Sequence, residues 1–381
     1  GNTQFGTGMR GLVDRGNTEM TIEELKLKLI PKYQAAVDAN VQTVMASYNS
    51  WNGVKCHGSK ELLTDILKVD MGFKGFVISD WQGIDEIPGD YKSDIITSIN
   101  AGIDMVMVSG QAQPYKKFMR LLKESVEEGS ISMGRIDDAV QRILKVKLRN
   151  GLFESPLVEN NALSTIGSND HRKIARQAVR ESVVLLKNEN IIPISKDINK
   201  LVVTGRGADN LGMQCGGWTI DWQGGQGDIT IGTTILDGIT NAVSQNTNII
   251  YSKDAQDLED SNGDLAIVVV GEDPYTEFLG DKENLDLINE DLTTIKNLKS
   301  KGYKVVVLLI SGRPMNISDH IENWDAFAAI WLPGTEGDGI SDILFGDHQA
   351  SGTLSYPWPI KAEDGANALT DNLLFNIGFG L

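Results

Sequence analysis

A short apolar run, Phe76-Val77-Ile78, stops abruptly at Ser79-Asp80-Trp81. Three β-branched and aromatic residues after the glycines of Gly72-Phe73-Lys74-Gly75 predict a buried strand. A carboxylate at the C-terminal tip of a parallel strand stands where α/β barrels keep their chemistry. The tryptophan beside it offers a flat face to the C–H surface of a pyranose ring. A capping aspartate and a core tryptophan are the plain alternative, so the rest of the chain has to decide.

Around this run, strands and helices alternate. Thr21 to Asn40 reads as a helix with Thr21 and Glu24 in capping-box positions, and Val41 to Tyr48 as a strand. Ser59 to Val69 is helical by the spacing of Leu62, Leu63, Ile66 and Leu67. A helix around Ile95 to Ala101, a short strand Met105 to Val108, and amphipathic helices Tyr115 to Glu128 and Arg135 to Arg149 follow. This order predicts an α/β fold with a parallel sheet and crossover helices. The pattern breaks at Gly151-Leu152-Phe153-Glu154-Ser155-Pro156, and a polar stretch to about Asn169 reads as a linker. The expected division is 1–154, a linker 155–170, and a second α/β domain 171–381. That domain opens with a helix His171 to Lys187 and holds strands Leu201 to Thr204, Leu265 to Val270, Lys304 to Ile310 and Ala326 to Ile330. These runs are apolar throughout, as in strands covered on both faces.

The net charge of -17 argues against nucleic acid or an anionic membrane as partner, since both require basic patches. No apolar run approaches the ~18 residues of a membrane span. A neutral substrate such as a carbohydrate is compatible with this charge. Cys56 and Cys215 fall in different predicted domains, and the four histidines (His57, His171, His320, His348) form no metal-binding spacing. No metal site is expected. The chain opens on Gly1-Asn2-Thr3-Gln4, with no targeting segment in view. The sequence leaves the location open, and a periplasmic or secreted one is compatible with it.

Gly205-Arg206-Gly207-Ala208-Asp209-Asn210 follows a strand but fails the dinucleotide spacing, because Asn210 replaces the third glycine. Ser311-Gly312-Arg313-Pro314 reads as a structural strand-end turn, and no G-x-S-x-G elbow is present. Two loops are sharper. Gly271-Glu272-Asp273-Pro274-Tyr275-Thr276-Glu277 puts two glutamates after a buried strand, and Gly216-Gly217-Trp218-Thr219-Ile220-Asp221-Trp222-Gln223-Gly224 puts two tryptophans in a glycine-rich loop. Four tryptophans in polar, glycine-rich surroundings (Trp51, Trp81, Trp218, Trp222), together with loop carboxylates, point to a carbohydrate cleft.

These residues resemble glycoside hydrolase family 3, the family of β-glucosidases and exo-β-glucanases. The likeness covers Lys74 to Trp81, Arg135-Ile136-Asp137-Asp138, Gly151-Leu152-Phe153-Glu154, Val184-Leu185-Leu186-Lys187-Asn188, Trp218 to Gly224, Gly271 to Glu277, Trp331-Leu332-Pro333-Gly334 and Gly378-Phe379-Gly380-Leu381. It implies the C-terminal part of a (β/α)8-like barrel followed by an α/β sandwich with a mostly parallel six-stranded sheet. It also implies Asp80 as nucleophile, Glu277 as acid/base, Trp81 and Trp222 as an aromatic clamp on the sugar beyond the scissile bond, and Tyr48 and Met45 in the glucose pocket. The family's Lys-His pair that grips the terminal glucose has no counterpart here, and Glu86 stands where the most similar exo-glucanases carry Arg.

The implied reaction is retaining hydrolysis that releases terminal β-D-glucose from β-glucosides or short β-glucans. Such enzymes use two carboxyls ~5–5.5 Å apart, one attacking and one donating a proton. No cofactor is required. A β-xylosidase or mixed-specificity glycosidase is the alternative within the family, and a non-catalytic carbohydrate-binding remnant is the alternative outside enzymes. The expected partners are a β-glucoside or β-glucan oligosaccharide and an N-terminal fragment of the same enzyme that completes the barrel.

Overall fold

A computed structural model of the chain describes residues 15–110, 113–158, 160–282, 284–361 and 372–381. It comprises two compact units, one up to Asn160 and one from Asn161 onward.

In the first unit, strands Thr43–Met45 and Phe76–Ile78 pair in parallel. Met105 joins them through a single parallel bridge to Ile78, not the full strand expected over Met105 to Val108. Crossover helices Glu61–Asp70 and Tyr91–Ala101 follow the strand positions, with Gln113–Glu127 and Met133–Arg149 after them. The predicted helix over Thr21 to Asn40 is two helices, Ile22–Lys28 and Ile30–Asp38, parted at Leu29. Pro31 explains the break, since its nitrogen has no proton to give the preceding turn. The capping box forms as read: Glu24 N–H donates to Thr21 Oγ1 at 3.1 Å, and Thr21 N–H donates to Glu24 Oε2 at 3.0 Å. The last turn of Glu61–Asp70 is wide, with Met71 N–H reaching back five residues to Ile66 O.

Buried polar groups fix the strand that ends in Asp80. Asp104 is buried and accepts from Val77 N–H and from Lys68 Nζ, each at 2.8 Å, and from the Arg135 guanidinium. Arg142 donates to the carbonyls of Phe73 and Gly75 at 3.1 and 2.9 Å. Arg135 and Arg142 both lie on Met133–Arg149, so this helix is tied by charge to the strand's approach. Gly75 is required by a close approach, because a Cβ there would sit 2.0 Å from Gln42 O.

The second unit is built on a six-stranded sheet. Its order is Val184–Asn188, Ala326–Trp331, Lys304–Ile310, Leu265–Gly271, Lys200–Thr204 and Asn248–Ser252. Only Val184–Asn188 runs antiparallel to its neighbour. Alternate residues feed two cores. Leu201, Val203, Ile267, Val269, Val306 and Leu308 pack on one face, with helices Ile235–Ala242 and Gly337–Leu344 supplying Ile235, Ile239 and Ile340. Val202, Ala266, Val268, Val305, Val307 and Leu309 pack on the other, with Ile295 and Leu298 from Asn289–Ser300. The expected helix over His171 to Lys187 is overturned at its end. Helix Asn169–Ser182 stops, and Val184–Asn188 becomes a strand along Ala326–Trp331. Asn248–Ser252 adds a strand that the sequence pattern does not predict; it pairs in parallel with Lys200–Thr204.

Candidate active site

The Phe76–Ile78 strand delivers Asp80 into a tight turn in which each amide from Ser79 to Gly83 has an acceptor. Ser79 N–H donates to Met105 O at 2.9 Å, and Asp80 N–H donates to His57 Nε2 at 2.9 Å. Trp81 N–H donates to Asp80 Oδ1 at 2.6 Å, Gln82 N–H to Met107 O at 3.2 Å, and Gly83 N–H to Asp80 O at 3.0 Å. The Ser79 hydroxyl donates to Asp80 O and accepts from Met107 N–H, both at 2.8 Å. Asp80 is partly exposed, and Trp81 beside it is 57% exposed.

Tyr48 belongs to the same cluster. Its hydroxyl donates to Trp81 O at 2.9 Å, and its ring meets His57 edge-on at 6.0 Å. The Arg15 guanidinium lies 4.7 Å from the centre of the Tyr48 ring. Burial raises the Tyr48 phenol above its ordinary pKa, against the pull of Arg15. Glu86 accepts from Arg15 at 2.8 Å and lies 3.6 Å from Lys55 Nζ, so this carboxylate is held by two cations. Met45 ends the neighbouring strand in register with Ile78 and is exposed. The structure thus gathers Asp80, Trp81 and Tyr48 into one bonded group, with Met45 on the adjacent strand tip.

Next to the turn is a recess of about 710 Å³ lined by Gln82, Asp85, Tyr91, Asp94, Val108, Ser109, Pro114 and Lys117. Burial, with Asp85 and Asp90 nearby, pushes the Asp94 carboxyl up to about 6 despite a hydrogen bond from Ser93. Among the described residues, no group of three His, Cys, Asp or Glu is arranged to hold a metal ion.

In the second unit, the strand Leu265–Gly271 runs directly into Glu272, which is buried. Arg313 Nη2 donates to Glu272 Oε1 at 2.7 Å, Ser311 Oγ to Oε2 at 3.0 Å, and the Tyr275 hydroxyl to Oε2 at 3.1 Å. Arg313 also lies 4.6 Å from the centre of the Tyr275 ring and donates to Gly280 O at 2.6 Å. Burial, then the Glu272 charge, pushes the Tyr275 phenol up to about 12. On the other flank, the Arg206 guanidinium bonds Asp273, Gly271 O and the buried Asp291. Gln226 Nε2 donates to Asp273 Oδ1 at 2.8 Å.

Between these anchors, Glu277 is exposed and sits at φ +46°, a left-handed conformation unusual for a residue with a Cβ. Such strain persists where the surroundings over-determine the backbone. Thr276 N–H donates to Gln223 Oε1 and Thr276 Oγ1 donates to Trp222 O, both at 3.0 Å, which joins the glutamate loop to the tryptophan loop. Trp218 and Trp222 are exposed at 68% and 41%, and Trp218 also has a positive φ of 62°.

Trp51 does not belong with the other loop tryptophans. It is 9% exposed, and its indole N–H donates to Met20 O at 2.9 Å within the core. Sequence reading missed His57, Arg15 and Arg313 as parts of these clusters. The His-Gly step at His57-Gly58 and the strand-tip position of Arg313 were the available signals, but their partners lie 23 and 41 positions away.

The fold is therefore α/β, with carboxylates and exposed tryptophans on loops at strand tips. Residues 6–146 match the Glycosyl hydrolase family 3 N terminal domain, and residues 183–381 match the Glycosyl hydrolase family 3 C-terminal domain. The chain belongs to glycosyl hydrolase family 3. It is 31% identical over 366 residues to a lysosomal beta glucosidase of Dictyostelium discoideum, covering 88% of this chain and 44% of the relative. A beta-xylosidase of Formosa agariphila is 29% identical, covering 91% of this chain and 51% of the relative. The crystal structure of an exo-1,3/1,4-beta-glucanase from a Pseudoalteromonas species superposes with a TM-score of 0.88 at 37% identity, covering 98% of this chain and 62% of that one. The chain spans about half the length of the curated relatives it matches.

Proposed function

We propose that this chain works as a retaining β-glycoside hydrolase that releases terminal β-D-glucose from β-glucosides or short β-glucans. The observation that carries the reading is the Asp80 turn. A partly exposed carboxylate stands at the tip of a buried strand, its backbone fully bonded, with an exposed tryptophan next to it. In the proposed first step, an Asp80 oxygen attacks the anomeric carbon as the glycosidic C–O bond breaks, and Glu277 gives its proton to the departing oxygen. In the second step, Glu277 takes a proton from water, whose oxygen displaces Asp80 and frees the sugar. Glu277 is favoured over Glu272 because it is exposed, whereas the Glu272 oxygens are occupied by Arg313, Ser311 and Tyr275. Trp81 and Trp222 are the proposed platforms for the sugar beyond the scissile bond, and Tyr48 and Met45 the proposed lining of the glucose pocket.

The test is trapping with a 2-deoxy-2-fluoro-β-glucoside followed by peptide mapping, with a label on Asp80 as the expected result. A label on another residue sinks the assignment. The name of the Formosa relative favours a second reading, β-xylosidase activity. Rates on 4-nitrophenyl β-glucoside and β-xyloside separate the two, and turnover of neither would favour a carbohydrate-binding role.

A further inference from the structure

We propose that His57 is a positioning residue for Asp80: its imidazole accepts the Asp80 amide proton and so fixes the turn from which the carboxylate is presented. The proposal rests on reading Asp80 as the nucleophile. A strand that ends in a tight turn leaves amides without ladder partners. Here Ser79 and Gln82 find carbonyls on the segment from Met105 to Met107, Gly83 bonds within the turn, and Trp81 uses the Asp80 side chain. The amide of Asp80 itself goes to a side chain from a different element, the turn Cys56–Gly58.

The ring is confined on two sides. Tyr48 meets it edge-on, and Tyr48 in turn bonds Trp81 O, so His57 and Tyr48 hold consecutive residues of the turn. Gly83 lies against it so closely that a Cβ there would come within 2.3 Å of Nε2. A histidine that only filled space would not need its Nε2 lone pair aimed at one backbone N–H. Accepting at Nε2 requires the neutral tautomer with its proton on Nδ1. His57 is fully buried, and among the described residues its Nδ1 has no hydrogen-bond partner. One ring nitrogen is therefore committed to the turn, while the other has no partner among the described residues.

The experiment compares the full chain with His57→Gln, whose amide oxygen can still accept, and His57→Leu, which is of similar size and cannot. The direct readout is nuclear magnetic resonance of the wild-type chain. A scalar coupling across the hydrogen bond between the Asp80 amide nitrogen and His57 Nε2, with the proton on Nδ1, is expected. A protonated Nε2 or no coupling overturns the proposal. Amide exchange gives the second readout. Exchange at Asp80 and Trp81 is expected to speed by at least tenfold in His57→Leu, measured well below its unfolding temperature, and to return toward wild type in His57→Gln. Equal protection in both variants overturns the proposal even if both lose stability. Peptide mapping with the fluoroglucoside keeps the underlying reading separate. A label on another carboxylate with the coupling intact removes Asp80 as nucleophile, and a labelled Asp80 without the coupling removes His57 as its positioning residue.

Discussion

Arg313 Nη2 lies 2.7 Å from Glu272 Oε1, and its Nε lies 3.2 Å from both carboxylate oxygens. The two residues stand just past the tips of neighbouring strands, where Ile310 pairs with Gly271. A buried carboxylate is thereby satisfied by a guanidinium carried just past the end of the adjacent strand, and the Glu277 loop starts from that fixed point. Removing one partner of such a pair leaves the other charge buried and uncompensated. Arg313→Ala should lower stability by roughly 3 kcal/mol. Denaturant unfolding of this variant, of Glu272→Gln and of the double variant measures it. A strongly non-additive double variant is the expected signature of coupling.

Asp80→Asn should abolish covalent trapping and reduce turnover of an aryl β-glucoside by several orders of magnitude, as removing a nucleophile does elsewhere. Its folding should change little, since Asp80 N–H keeps its bond to His57 and Trp81 N–H can still donate to the amide oxygen. Circular dichroism and the unfolding midpoint check the fold, and turnover checks the chemistry.

Glu277→Ala should lose hydrolysis of substrates with poor leaving groups most severely. Azide should restore part of its rate on an aryl glucoside and yield a β-glucosyl azide, because azide attacks the intermediate without a general base. Glu272→Ala should show no such rescue, since its defect lies in the loop's support. Rescue of Glu272→Ala alone would exchange the two roles.

Trp222→Ala should weaken disaccharide hydrolysis by roughly 1 kcal/mol in kcat/KM, about fivefold, on the scale of one aromatic contact. Aryl glucosides should be affected less. The Thr276 bond to Trp222 uses the backbone carbonyl and survives the substitution. An equal loss for every substrate would point to misplacement of the loop instead.

Burial, with a smaller contribution from the Lys55 charge, lowers the His57 pKa from 6.5 to about 4. Among the described residues, Lys55, Tyr48, Asp80 and the adjacent Cys56 are titratable groups close to it. Above pH 6.5 the imidazole is neutral in both folded and unfolded chains, and its contribution to stability does not vary. Below that pH the unfolded chain takes up the proton first. Stability therefore falls as pH falls from 6.5 to about 4, and the loss approaches about 3 kcal/mol below that range. Unfolding free energies of wild type and His57→Gln across this window measure it, and the variant should show the shallower slope.

The apolar runs by themselves determined most of the second unit. Leu265 to Val270 and Lys304 to Ile310 are hydrophobic at nearly every position, which only a strand covered on both faces tolerates. The Gly-Phe-Val-Ile-Ser-Asp-Trp run likewise marked a strand tip with a carboxylate and an exposed indole, because its signal is contained in seven consecutive residues. Val184–Asn188 was not legible, since Val-Leu-Leu continues a helical pattern equally well until Ala326–Trp331 offers it a ladder. Trp51 looked like a loop aromatic until the neighbouring Met20 carbonyl took its indole proton inside the core. The pairings of Asp80 with His57 and of Glu272 with Arg313 were decided only by tertiary structure. Each joins residues far apart in the chain, and no local spacing records which buried donor will meet which acceptor.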